Sequence, residues 1–127
     1  MADRRLDGLQ GRCLLVVEDE YLIAADLARS LEDVGADVVG PAGSVEDALE
    51  LVATDGKRLD GAVLDINLRG ERVYRVADAL AACGVPFVFT TGYDALAIPD
   101  AYAGVPICEK PVDKAVLARL LSSSGPK

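Results

Sequence analysis

The chain reads Ala62-Val63-Leu64-Asp65-Ile66-Asn67-Leu68 near its middle, an apolar run interrupted by one acid, Asp65. A second apolar run, Cys13–Val17, ends in the acidic triplet Glu18-Asp19-Glu20. Runs of four or five apolar residues bounded by polar ones are typical of buried strands. The sequence therefore predicts two buried strands, each with acidic residues at its carboxyl end.

The acids at the two strand ends lie close together if the strands are parallel neighbours. Glu18, Asp19 and Asp65 then converge at one edge of the sheet. Carboxylates at such short separations repel one another unless a proton or a cation joins them. Mg²⁺ is the expected partner because hard cations prefer oxygen ligands, and Mn²⁺ suits the same ligands. We expect the remaining acid, Glu20, to act only as a charge at a helix start.

Length and composition describe one domain of ordinary globular character. A length of 127 residues is enough for one hydrophobic core. The composition, 51% hydrophobic and 27% charged, is typical of a globular protein. The net charge of −8 disfavours nucleic acid as a partner, because phosphate backbones attract basic faces. No apolar stretch approaches the roughly 18–20 residues of a membrane helix. The first ten residues also lack an apolar signal core, so we expect a cytoplasmic protein without membrane contact.

The three cysteines, Cys13, Cys83 and Cys108, are far apart in the sequence, and the chain has no histidine. Two of them fall inside apolar runs, where a reduced thiol behaves as a small apolar side chain. We therefore expect structural thiols and no cysteine-based metal site.

Glycine recurs where a helical segment passes into an apolar run, at Gly35, Gly84 and Gly104. Such a glycine supplies the left-handed residue that ends a helix. The alternation predicts an α/β fold, a doubly wound sheet of five parallel strands with helices on both faces. The strands are expected near residues 12–17, 36–40, 60–65, 85–90 and 105–108, and the helices near 20–34, from 44 onward, 71–83 and 113–121. Ser44 and Asp113 are expected to cap the second and the last of these helices.

The connection between Thr91 and Lys110 carries the weakest helical pattern. Pro99 disfavours helix at Ile98, so a fourth helix within 94–101 is expected to be short or irregular. We place the domain at residues 11–121, between an N-terminal tail, 1–10, and a C-terminal tail, 122–127.

A hydroxyl and an ammonium are predicted to join the acids at the same sheet edge. The fourth strand ends at Thr91, and the fifth ends at Glu109-Lys110-Pro111. Lys110 can neutralise Asp65 or hold a phosphoryl oxygen, and Thr91 can donate a hydrogen bond to that oxygen. Aspartate can attack phosphorus and form an aspartyl phosphate, with the metal offsetting the developing charge.

In this βα order, the set Glu18-Asp19, Asp65, Thr91 and Lys110-Pro111 resembles the receiver domain of two-component response regulators. The resemblance covers about residues 11–121 and implies a flavodoxin-like sheet with strand order 2-1-3-4-5. It implies that Asp65 accepts a phosphoryl group and that Thr91 and Lys110 contact that group. It further implies metal ligands from Glu18, Asp19, Asp65 and the main-chain oxygen of Asn67, and a cis peptide bond before Pro111.

A subclass of the same family is also indicated. The segment 86–93, Pro-Phe-Val-Phe-Thr-Thr-Gly-Tyr, is similar to the pattern of the FATGUY receivers, which often work with HWE-type histidine kinases in alphaproteobacteria. Thr90 replaces the usual alanine. Many receivers carry an aromatic switch residue three positions before the lysine, where this chain has Ile107. Tyr93 or Tyr102 could substitute for that ring.

The leading hypothesis is a signalling switch, not an enzyme, that is phosphorylated by a histidine kinase or a phosphotransfer protein. Because no output domain follows residue 121, we expect it to act on a downstream protein or to drain phosphoryl groups from a kinase. We expect a monomer or a transient dimer. The sequence does not identify the kinase, the stimulus, the target or the lifetime of the phosphorylated state.

Three alternatives stay open. A degenerate receiver would fold identically and act as a constitutive adaptor. An aspartyl-nucleophile phosphohydrolase would need a titratable acid two residues after Asp65, where the chain has Asn67. A flavodoxin-like cofactor domain would need a phosphate loop after the first strand, where Glu18-Asp19-Glu20 would repel a phosphate.

Overall fold

The computed structural model describes residues 9–92 and 98–123 and has the expected α/β architecture. The helices and strands alternate along the chain, and their bounds are β1 Cys13–Val17, α1 Tyr21–Asp33, β2 Asp37–Ala42, α2 Val45–Asp55, β3 Gly61–Asp65, α3 Tyr74–Ala82, β4 Phe87–Thr91, β5 Ile107–Glu109 and α4 Lys114–Ser123. The five strands form one parallel sheet in the order β2-β1-β3-β4-β5. The predicted order 2-1-3-4-5 and the doubly wound class are therefore confirmed.

Two apolar cores cover the two faces of the sheet, because strands buried on both sides must be packed from both sides. One core lies under α2 and α3 and contains Leu64, Leu80 and Phe89. The other lies under α1 and α4 and contains Val63 and Leu117. Neighbouring residues of β3 thus enter opposite cores, as the period of two in a strand requires.

Both predicted helix caps are present. The Ser44 hydroxyl accepts a hydrogen bond from the Asp47 N–H at the start of α2, at 3.1 Å. Asp113 Oδ1 accepts from the N–H groups of Ala115 and Val116 at 3.0 and 3.2 Å, at the start of α4. These bonds satisfy N–H groups that have no partner within the helix.

Replacement of Asp113 by alanine is expected to lower the free energy of unfolding by about 1 kcal/mol, since the first turn of α4 loses its side-chain acceptor. Urea denaturation followed by circular dichroism measures this loss. Asp113→Asn is the control, because asparagine keeps an oxygen at the cap and should remain close to the wild type. Equal losses in the two variants would contradict the capping role.

Strand β2 runs two residues beyond its predicted end because of a bulge opposite β1. The pairing register shifts between Leu15 and Val17, and Gly40 lies there with φ +94°. A Cβ atom at Gly40 would lie 2.9 Å from the Val16 carbonyl oxygen, so a side chain does not fit. After the bulge, the Ala42 carbonyl accepts from the Glu18 N–H at 2.9 Å, which fixes the residue that follows β1.

Helix α3 begins at Tyr74, three residues later than predicted, because Asn67–Leu68 and Glu71–Arg72 pair as a small antiparallel hairpin. Neither strand of this hairpin is among the five predicted strands. The Val73 N–H donates to the Ile66 carbonyl at 2.9 Å and closes the base of this hairpin. The hairpin therefore starts two residues after Asp65 and lies beside the acidic strand ends.

Two features extend beyond the predicted domain limits of 11–121. Leu9 is fully buried in the core under α1 and α4, and α4 continues to Ser123. Residues 94–97 of the predicted fourth helix lie outside the described residues, and the described part shows only the start of one 3₁₀ turn, Asp100–Tyr102. Within the described residues, no helix is long and apolar enough to cross a membrane.

Candidate functional site

The parallel pairing of β1 with β3 brings the acids together. Val17 pairs with Leu64, so Glu18 and Asp65 follow paired positions at the carboxyl edge of the sheet. One carboxylate oxygen from each of Glu18, Asp19 and Asp65 lies within 4.8 Å of the others. The convergence expected from the sequence is therefore present in the structure.

Two of the three acids are buried, with Glu18 2% exposed and Asp65 4% exposed. Acidic side chains are rarely this buried without a partner. Lys110 Nζ donates a hydrogen bond to Asp65 Oδ2 at 3.0 Å and also lies 3.0 Å from Glu18 Oε1. The Lys110 N–H donates to the Thr91 carbonyl at 2.9 Å, which fixes the lysine at the end of β5. A single ammonium thus faces two buried carboxylates.

The pKa shifts follow from this imbalance of charge. Burial raises the pKa of Glu18 to about 7, although the Glu20 N–H and Lys110 act in the opposite direction. Burial also raises the pKa of Asp65, against the Lys110 ammonium. Burial by itself lowers the pKa of Lys110, but the contacts with Asp65 and Glu18 outweigh burial, and the pKa is raised. The cluster therefore holds more negative charge than Lys110 neutralises.

Glu18 Oε1 identifies the place that a cation fits. This oxygen is buried and lies 3.0 Å from the Lys110 ammonium, which also binds Asp65. Two buried carboxylates that share one ammonium keep a net negative charge, which is costly in the protein interior. The group of three hard oxygen donors suits Mg²⁺ or Mn²⁺, so the residues present fit the expected metal.

The other predicted site residues lie around this cluster. The Asn67 N–H donates to Asp65 Oδ1 at 3.3 Å, while its side-chain oxygen accepts from the Gly70 N–H at 2.8 Å. Thr91 is buried at the end of β4, next to Thr90, which pairs with Asp65. The peptide bond between Lys110 and the following proline is cis. The metal-ligand role of the Asn67 carbonyl and the phosphoryl contact of Thr91 stay predictions.

Tyr102 packs against α3. Its ring stacks on Tyr74, with centroids 4.8 Å apart and planes 11° apart, and meets Phe89 edge-on at 6.0 Å. Its hydroxyl donates to Asp78, and this bond raises the pKa of Tyr102 to about 12. Tyr102 thus joins the 3₁₀ turn to α3. A switching role for this ring stays a prediction, and Tyr93 lies outside the described residues.

Sequence reasoning missed Arg69, whose Nε lies 3.9 Å from Asp19 Oδ2. It also missed the exposure of Tyr21 and Leu22, which are 80% and 76% exposed at the start of α1. Only the hairpin brings Arg69 back toward β1, so no periodic pattern could have identified it. The two exposed apolar residues could have been noticed because they lie outside the apolar face of α1, which is formed by residues such as Leu27 and Leu31.

No protein-family model matches the chain. The curated protein PhyR of Methylorubrum extorquens, a phyllosphere-induced regulator, is 34% identical over 94 residues, which is 72% of this chain. The chain spans 35% of the length of PhyR.

Solved structures match over nearly the whole chain. The solution structure of SdrG from Sphingomonas melonis is 38% identical, covers 92% of this chain and 97% of SdrG, and has a TM-score of 0.77. SdrG is also known in a BeF₃-activated conformation. A response regulator receiver protein from Sinorhizobium medicae is 27% identical, covers 91% of this chain and 95% of its own, and has a TM-score of 0.76. The chain belongs to the receiver-domain family of response regulators.

Proposed function

We propose that this receiver is a phosphorylatable switch in which Asp65 accepts a phosphoryl group from a histidine kinase or a phosphotransfer protein. The observation that carries the proposal is the burial of Asp65 among converging acids, with the Lys110 ammonium on its Oδ2. An acid with only a structural role would be neutralised by one cation, whereas here several acids share the Lys110 ammonium. An excess of buried negative charge is instead suited to a divalent cation, which would in turn attract the anionic phosphoryl group.

The transfer forms one bond and breaks one. A carboxylate oxygen of Asp65 attacks the phosphorus of a phosphohistidine, the new P–O bond forms, and the P–N bond breaks with its electron pair passing to the imidazole nitrogen. Burial favours this reaction because a desolvated carboxylate is more basic, in keeping with the raised pKa of Asp65. A metal bound by Glu18, Asp19 and Asp65 would offset negative charge on the phosphoryl oxygens.

The other residues position the phosphoryl group. Lys110 already lies at hydrogen-bond distance from Asp65, so its ammonium can move to a phosphoryl oxygen with little displacement. Thr91 follows the strand residue that pairs with Asp65 and ends β4 at the same edge, from which its hydroxyl would reach the phosphoryl group. Both residues would move toward the added charge, and their movement would carry the signal into β4 and β5.

The phosphoryl donor is proposed to contact the start of α1. The exposed Tyr21 and Leu22 lie beside the acidic cluster, and Leu22 borders a groove of about 310 Å³. The groove is also lined by Lys110, the residue bonded to Asp65, so a protein seated there would have direct access to the site. An unidentified downstream protein would read the phosphorylated state. We expect the protein to be cytoplasmic and to act as a monomer or a transient dimer.

Two observations favour a switch over the alternatives. SdrG has a BeF₃-activated conformation, and the chain described here is similar to SdrG along nearly all of its length. Residue 67 is an asparagine, whose amide cannot serve as the general acid and base of a phosphohydrolase. We therefore propose self-phosphorylation and self-dephosphorylation chemistry alone, without turnover of an external substrate.

The test is incubation of the full chain with acetyl phosphate and Mg²⁺, followed by intact mass and two-dimensional NMR. We expect a mass increase of one phosphoryl group that EDTA prevents, and amide shifts centred on Asp65, Thr91 and Lys110. Continuous hydrolysis of phosphate esters over many turnovers would instead identify a hydrolase. The absence of any reaction with acetyl phosphate or beryllofluoride would identify a constitutive adaptor.

A further inference from the structure

The positive charges around the acidic cluster are divided between two residues. Lys110 contacts Asp65 and Glu18, both at 3.0 Å. Among the described residues, the cation recorded beside the third acid, Asp19, is Arg69, with its Nε 3.9 Å from Oδ2. Asp19 is therefore paired with a different and much more exposed cation than the two buried acids.

The hairpin holds Arg69 in this position by backbone geometry. Arg69 has φ +54°, a left-handed backbone conformation that residues other than glycine adopt at an energetic cost. The Gly70 N–H donates to the Asn67 side chain at 2.8 Å and fixes the turn. The guanidinium extends from this turn toward β1, while the side chain stays 79% exposed. It can therefore leave Asp19 without any rearrangement of the core.

We propose that the Arg69 guanidinium competes with the divalent cation for the Asp19 carboxylate. The inference rests on the proposed metal site. When no metal is bound, the guanidinium pairs with Asp19 and offsets part of its charge. A divalent cation at the three carboxylates repels the guanidinium and takes its place, so every binding event must break the contact between Arg69 and Asp19. Arg69 thus weakens metal binding in the unphosphorylated protein.

The experiment is a Mg²⁺ titration of the unphosphorylated full chain by isothermal calorimetry. Arg69→Gln keeps a polar side chain but removes the charge, and we expect its dissociation constant to be about twofold to fivefold lower than that of the wild type, the range of an exposed ion pair. Arg69→Lys should stay near the wild type. Arg75→Gln is the matched control, because the Arg75 side chain is 68% exposed and its recorded ion pair is with Glu71 at 3.8 Å and not with one of the three clustered acids.

A second readout follows the guanidinium directly. In the wild type, the Arg69 Nε–H resonance should move toward the position of a free arginine as Mg²⁺ saturates the site. Equal affinities of the wild type and Arg69→Gln, or an unchanged Arg69 resonance, would overturn this inference and leave the proposed function intact. Wild-type protein that binds no Mg²⁺ would overturn both.

Discussion

Asp65→Asn is expected to abolish phosphorylation by acetyl phosphate, with a rate at least ~100-fold below that of the wild type. The amide has nearly the shape of the carboxylate, and its oxygen can still accept from the Lys110 ammonium, which lies 3.0 Å from Asp65 Oδ2. It lacks the charge and the nucleophilic oxygen that the reaction needs. Intact mass spectrometry after incubation with Mg²⁺ measures the loss, and circular dichroism should show an unchanged fold.

Asp60→Asn is a matched control for this variant because it makes the same change at the opposite end of β3. Asp60 Oδ2 accepts from the Cys13 N–H at 2.8 Å, a bond that an amide oxygen can replace. This variant should be phosphorylated at the wild-type rate. Phosphorylation that persists in Asp65→Asn would show that another residue is the phosphoacceptor and would contradict the assignment of the site.

The elements of this fold that could be predicted are those whose signal lies in residues close together in the sequence. Apolar runs identified the five strands, because strands buried on both faces need apolar residues at consecutive positions. Ser44 and Asp113 were found as helix caps because their hydrogen bonds span only two or three residues. Asp65 and Glu18 were placed together correctly because strand ends on one edge of a parallel sheet must meet.

Features that depend on longer or irregular contacts were not predictable. The bulge at Gly40 depends on a close approach of β2 to β1, which neither segment shows alone. The hairpin of residues 67–72 has strands of only two residues, too short for any periodicity to show. Arg69 was missed for the same reason, since its contact with Asp19 exists only once the hairpin forms. The burial of Leu9 also needs the assembled core.

The excess of buried negative charge should also lower the free energy of unfolding of the metal-free, unphosphorylated protein. Burial raises the pKa of Glu18 from 4.5 to about 7, so near pH 8 the folded state holds a carboxylate that would be easier to ionise in the unfolded chain. Glu18→Gln removes this charge. Without metal, we expect its free energy of unfolding at pH 8 to exceed that of the wild type by about 1–2 kcal/mol, discounted for solvent and for the buried amide.

The sign of the pH dependence distinguishes this cause from improved packing. A folded pKa above the unfolded pKa means that the folded wild type binds more protons between about pH 4.5 and 7, so its stability falls as pH rises through that window. The advantage of Glu18→Gln should therefore be small near pH 4.5, grow up to about pH 7 and then stay constant. Urea denaturation in EDTA across this range measures it.

Glu20→Gln is the matched control, because it makes the same chemical change at an exposed residue two positions later. Its change in stability should stay below about 1 kcal/mol, the range for a charge at a helix start, and it should gain no stability over the wild type as pH rises from 4.5 to 7. An advantage of Glu18→Gln that is equal at pH 4.5 and pH 8 would show that the charge is not its cause. In the Mg²⁺ titration, Glu18→Gln should bind more weakly than the wild type, because the side chain that destabilises the metal-free fold is also a proposed ligand.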